Sequence, residues 1–219
     1  MELKNKVINF LGDSITQGIG TSGTEARFSS LIEKECGLKR ANNYGIGGTR
    51  IANQKAKVYE LTDELNFCVR CTEMDKEADI IVVMGGTNDH GHGDAPIGTF
   101  EDRTPDTFYG ACHTMMRSLL ETYPEAVIVI CTPLHTWCEN NLRGAGIRTE
   151  ETAVLATYAA VIRETAEYYS LPVLDLFKNS GIQPAVPVVK EKYIPDGLHP
   201  NDAGHRLLAD RMIGFLKAL

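Results

Sequence analysis

The sequence predicts an α/β fold in which a five-stranded parallel sheet carries helices on both of its faces. Three observations point there. Short apolar runs of strand type alternate along the chain with longer segments of helical spacing. Two of those runs, residues 78–84 (ADIIVVM) and 126–131 (AVIVIC), are apolar almost throughout, as strands buried on both faces are. Glycines stand directly after three of the runs, where a strand must end and the chain must turn.

Each element has its own local reason. Residues 6–11 (KVINFL) form a short strand run that stops at Gly12. Residues 25–36 place Phe28, Leu31, Ile32 and Cys36 at helical spacing, with Gly37 as the stop. Residues 39–44 make a second strand that closes on the glycines of GIGG. The third strand is residues 78–84, before Gly85 and Gly86. Residues 107–121 set Phe108, Cys112, Met115 and Leu119 on one helical face. The fourth strand, residues 126–131, is stopped by Thr132-Pro133, and a long helix is expected over residues 150–169. Residues 172–176 (PVLDL) make the fifth strand, and residues 201–219 a closing helix with Pro200 and Asn201 at its start. The chain shows no internal repeat, low-complexity tract or linker. At roughly 150 residues per domain, 219 residues read as one domain, 1–219.

Composition narrows the functions open to such a fold. Lysine and arginine number 22 against 29 aspartates and glutamates, a net charge of −7 without blocks of like charge. That balance lacks the basic footprint of a nucleic-acid binder and disfavours an anionic membrane surface. No run approaches the ~18 apolar residues of a membrane span. The N-terminal segment lacks the apolar core of a secretion signal, so the expected location is the cytoplasm unless a leader has been removed. The six cysteines sit mostly in apolar stretches and read as buried free thiols. Cys68-Val-Arg-Cys71 has the spacing of half a zinc site or a redox pair, but the remaining cysteines supply no second pair.

Ligands of a parallel α/β sheet sit beyond the carboxyl ends of its strands, so the residues after each strand are where chemistry is sought. After the first strand comes Ser14, between Gly12 and Gly18, at the start of a segment expected to turn helical. A serine hydroxyl is a poor nucleophile until a base takes its proton. His199 in Asp196-Gly-Leu-His199 is a candidate base, and Asp196 is placed to orient its ring. Asn88 offers an amide donor after strand three, and Gly47 and Gly48 offer unencumbered N–H groups after strand two. Donors on separate strand ends can converge on one developing oxyanion.

The segments GDSITQG (12–18), NYGIGGT (43–49), GGTND (85–89) and DGLHP (196–200) resemble the four ordered blocks of the SGNH, or GDSL-like, esterases and lipases. They stand in the family's order and on the expected strands. The resemblance implies a flavodoxin-like three-layer α/β/α sandwich. It implies Ser14 as nucleophile, His199 as base and Asp196 as its orienter. The oxyanion hole is then the N–H of Ser14, the N–H of Gly48 and the Asn88 amide. Spacing from Asn43 favours Gly48 over Gly47. The family needs no metal or cofactor. Its activities run from polysaccharide acetylesterases to lysophospholipases, thioesterases and arylesterases.

Taken singly, these residues have plain structural readings: Ser14 as a helix cap, Asn88 as a turn residue, His199 as a surface histidine. Their conjunction carries the argument. Asp13 and Asp89 read as bonding backbone around the turns, and Asp13 with Arg50, His135 and Trp137 is also a candidate substrate contact. His90 and His92 resemble a metal cluster but read as histidines of a substrate loop. Asp175 is a more distant rival to Asp196. Gly18-Ile-Gly20-Thr-Ser-Gly23 matches a dinucleotide fingerprint literally, yet it does not directly follow its strand, and Asn42-Asn43 replaces the required acid. A flavodoxin-type phosphate loop would leave Asn88, Asp196 and His199 without a role.

Residues 89–106 and 132–149 are long, irregular and at the catalytic end of the sheet, where they shape a pocket. The first is acidic, which argues against an anionic phospholipid. In the second, His135 and Trp137 can stack on a sugar. Neither loop has an apolar run to line a long acyl channel. The expected substrate is a small-molecule or carbohydrate ester with a short acyl group, most simply acetyl. A longer-chain lysophospholipase or thioesterase activity is the alternative. The oligomeric state is not legible.

Overall fold

The computed structural model describes residues 1–55, 64–148 and 151–219. The chain runs β1 (Val7–Gly12), α1 (Ser14–Gln17), a 3₁₀ turn (Thr24–Ala26), α2 (Phe28–Cys36), β2 (Arg40–Gly45), α3 (Phe67–Arg70) and β3 (Ile80–Met84). It continues through α4 (Thr87–Gly91), α5 (Phe108–Thr122), β4 (Val127–Cys131), α6 (Leu155–Tyr168), β5 (Val173–Leu174), α7 (Leu176–Asn179), α8 (Pro187–Tyr193) and α9 (Asp202–Ala218). The strands form one sheet in the order β2-β1-β3-β4-β5, and all four pairings are parallel.

Strand periodicity makes the layers. Val7 and Leu11 of β1, Ile81 and Val83 of β3, and Ile128 and Ile130 of β4 point into one core with Phe67 of α3, Phe108 and Met115 of α5, and Ile162 of α6. The alternate residues Ile8, Phe10, Ile80, Val82 and Val129 point into a second core with Phe28 and Ile32 of α2 and Leu208 and Met212 of α9. The result is a three-layer α/β/α sandwich of flavodoxin type. Burying each large apolar side chain contributes about 1.5–3 kcal/mol, which is why two such layers hold without disulfides. Among the described residues the cysteines are free thiols. No helix there is long and apolar enough to cross a membrane.

Three differences from the sequence expectation have local causes. β5 is two residues long instead of five, because Asp175 ends it by accepting the N–H of Lys178 and capping α7. The long helix starts at Leu155. Thr152 and Leu155 give their N–H groups to the Leu142 and Glu139 carbonyls, so residues 151–154 belong to the preceding loop. Residues 149 and 150, the last of the expected loop and the first of the expected helix, lie outside the described residues. α2 begins at Phe28, since Arg27 is extended (φ −65°, ψ 143°) after the 3₁₀ turn.

Candidate active site

β1 ends at Gly12, and the next two residues define the site. Asp13 caps α1 by accepting the Ile15 N–H at 2.9 Å, so the helix opens on Ser14 at the carboxyl edge of the sheet. Register places Gly12 beside Gly45 on β2 and Met84 on β3. Gly45 must be glycine: a Cβ there would sit 2.1 Å from the Gln17 nitrogen of α1. Asn43 ties the same corner, donating to the Thr16 carbonyl at 2.7 Å and accepting the Gly45 N–H at 2.9 Å.

The chain returns to this corner from its far end. Ser14 Oγ lies 3.1 Å from His199 Nε2, and His199 Nδ1 lies 2.7 Å from Asp196 Oδ2. The other Asp196 oxygen accepts the N–H groups of Leu198 and His199 at 2.8 and 2.7 Å. Burial pushes the Asp196 carboxyl up, but those N–H groups and the imidazole outweigh it and hold it below the usual carboxylate range. An ionised carboxylate facing Nδ1 leaves Nε2 bare for the serine proton. Asp175 is elsewhere, held by Thr132 Oγ1 at 2.9 Å and by Arg163 and Lys178.

The donors fall around the same corner. The Gly47 N–H is taken by Gln17 Oε1 at 2.7 Å, which distinguishes it from its neighbour Gly48 at a φ of 76°. Asn88 sits in the first turn of α4 and donates through Nδ2 to the Thr49 carbonyl at 3.1 Å. Beneath these residues Arg70 braces the strand ends, donating to the Gly12 and Tyr44 carbonyls at 3.0 and 2.6 Å and to Thr49 Oγ1 at 2.9 Å. Nothing in the sequence reading marked Arg70. Its signal, a charged residue in a short apolar turn beside Phe67 and Cys71, is weak on its own.

Asp13 and Asp89 do bond backbone as read: Asp89 accepts the Ile51 and Ala52 N–H groups, both at 2.9 Å. The four expected substrate contacts separate. Asp13 and Arg50 are each 2 % exposed; Asp13 caps α1, and Arg50 meets His92 Nδ1 at 2.9 Å. The polar edge of His135 is turned to Glu139 at 2.5 Å and its ring lies against Phe177. Trp137 is 58 % exposed, and its backbone N–H donates to the Gly197 carbonyl inside the Asp196–His199 turn. His90 is buried against Tyr158 with Nε2 3.1 Å from the Asn141 carbonyl, and His92 lies 3.1 Å from Asn88 Oδ1.

Cys68 and Cys71 do not form a reactive pair. Burial pushes both thiols up, Cys71 to about 12, which is opposite to what a redox or metal-binding thiol needs. Among the described residues no group of three or more His, Cys, Asp or Glu side chains is placed to hold a metal ion.

A serine hydrogen-bonded to an imidazole, which is held in turn by a carboxylate at the carboxyl edge of an α/β/α sheet, is the arrangement of a serine-type hydrolase. Residues 10–207 match the sequence model of the GDSL-like lipase/acylhydrolase family, and the chain belongs to that family. One solved structure is 32 % identical over 100 % of this chain and 99 % of its own, with a TM-score of 0.84. A protein from Lactobacillus plantarum is 28 % identical over 98 % of both chains, also with a TM-score of 0.84. A two-domain esterase active on acetylated mannans shares the fold at 21 % identity and a TM-score of 0.58, covering 97 % of this chain and 49 % of its own. No curated protein sequence matches the chain. Membership of that family makes the protein an ester hydrolase.

Proposed function

We propose that residues 1–219 act as a single catalytic domain that removes short acyl groups, acetyl foremost, from a carbohydrate or other small-molecule ester. The observation that carries the reading is the unbroken chain Ser14 Oγ, His199, Asp196, with steps of 3.1 and 2.7 Å. His199 takes the Ser14 proton as the oxygen attacks the ester carbonyl. The oxyanion is met by the N–H groups of Ser14 and Gly48 and by the Asn88 amide. Collapse expels the alcohol with the proton from His199 and leaves an acyl group on Ser14. A water activated by the same imidazole then releases the acid. No metal or cofactor has a step in this scheme.

The substrate class rests on the surroundings of that chain. Trp137 is exposed beside the Asp196–His199 turn and offers a flat apolar face of the kind that stacks on sugar rings. Residues 89–106 and 132–148 supply no apolar run for a long acyl chain. The mannan-esterase likeness agrees with this but by itself extends only to the fold. A panel of p-nitrophenyl esters from acetate to palmitate tests the reading. Rates should be highest for acetate and fall steeply with chain length. Fastest turnover of palmitate would overturn the short-acyl assignment, and no hydrolysis along the series would overturn the esterase itself.

A further inference from the structure

Asn88 can serve an oxyanion only if its side chain presents nitrogen and not oxygen, and an amide has two nearly isosteric orientations. Here both ends of its hydrogen-bond chain are unambiguous. The Thr49 carbonyl accepts only, so the Asn88 atom 3.1 Å from it is Nδ2. The Arg50 guanidinium donates only, so His92 Nδ1, 2.9 Å from it, must be the bare nitrogen. The His92 proton is then on Nε2, and it donates to Asn88 Oδ1 at 3.1 Å. A flipped Asn88 would set oxygen against the Thr49 carbonyl and N–H against the His92 N–H.

We infer that Arg50 and His92 are positioning residues, a two-step relay that locks the Asn88 amide with its nitrogen toward the scissile carbonyl. The inference rests on the proposed role of Asn88, but the relay itself is a matter of hydrogen-bond polarity. Asn88 in the first turn of α4 and His92 at its C-cap are four residues apart, and Arg50 lies one residue past Thr49, so the amide is gripped at its oxygen from the end of its own helix and at its nitrogen from the loop after β2. Arg70 steadies the acceptor end by donating to Thr49 Oγ1. The ring is kept neutral, as a donor–acceptor relay needs: burial first, then the positive charges of Arg50 and Arg148, push the His92 pKa down to about 4.

A double-mutant cycle between His92→Ala and Asn88→Ala tests the relay. In the wild-type background His92→Ala should lower kcat roughly 10- to 100-fold with KM nearly unchanged, less than the ~100- to 1,000-fold worth of one oxyanion donor. In the Asn88→Ala background the same change should add almost nothing, because the group it orients is gone. His92→Gln can donate to Asn88 and accept from Arg50, and should restore most of the lost kcat. An unchanged kcat in His92→Ala, or a loss of equal size in both backgrounds, would overturn the inference. Nitrogen-15 spectra of the histidine rings give a readout that needs no turnover. At neutral pH His92 should be the neutral Nε2–H tautomer. A Nδ1–H or charged ring would refute the relay even if the esterase holds, and a wild type that hydrolyses no ester would refute the function with the tautomer intact.

Discussion

Asn88, Ser14 and His199 come from three separated stretches of chain, so each can be removed without deleting an element. Asn88→Ala should lower kcat by roughly 10²–10³ with little change in KM, the usual loss for one oxyanion donor. A change confined to KM would mean that Asn88 binds the ground state instead. His199→Ala should cost nearly as much as Ser14→Ala, because the two act as a unit. Asp196→Asn should cost clearly less, and Asp175→Asn should leave kcat near wild type, since its partners are Thr132, Arg163 and Lys178. A crippled Asp175→Asn beside an unaffected Asp196→Asn would contradict the assignment. The pH profile follows from the same groups. His199 must be neutral to act, while Asp196 is held below the ordinary carboxylate range and stays ionised throughout mildly acidic pH. Thus kcat/KM should rise with pH through one ionisation; two separate acid limbs would contradict that.

At the scale of elements, the site depends on how loops are pinned to strand ends. Asp89 reaches from α4 to the Ile51 and Ala52 N–H groups, and burial raises its carboxyl to about 6 against the pull of those two donors and Arg50. A carboxyl raised in the fold contributes stability that is full below the unfolded pKa of about 3.9 and is lost as pH rises through about 6. The stability of wild type relative to Asp89→Asn, measured by denaturant unfolding, should therefore fall between about pH 4 and pH 6. A difference that grows over that range would mean that the hydrogen bonds outweigh burial. The elements with a sustained signal were legible: β3 and β4 as unbroken apolar runs and α5 and α9 by helical period, each within two residues of expectation at each end. The short helices α4 and α7 were not. They hold four or five residues each, too few for a helical period, and a single capping Asp175 was enough to cut β5 short.

Across the whole molecule, the fold converts sequence distance into contact. Ser14 and His199 are 185 positions apart and meet because β1, between β2 and β3 in the sheet, ends at the same corner where the turn before α9 begins. Three of the motif blocks were readable from the sequence because they stand at the ends of β1, β2 and β3, whose carboxyl ends the parallel topology brings to one edge, while DGLHP lies between α8 and α9. The supporting residues were not readable. Arg70 and His92 act through a carbonyl and an amide that only the folded chain brings beside them. Active-site labelling tests the central claim, that this corner makes Ser14 a nucleophile, most directly. Wild-type protein treated with a fluorophosphonate and digested for peptide mass spectrometry should carry one adduct, on Ser14, with Ser14→Ala unlabelled and as stable as wild type. An adduct on any other serine, or labelling that survives Ser14→Ala, would contradict the account.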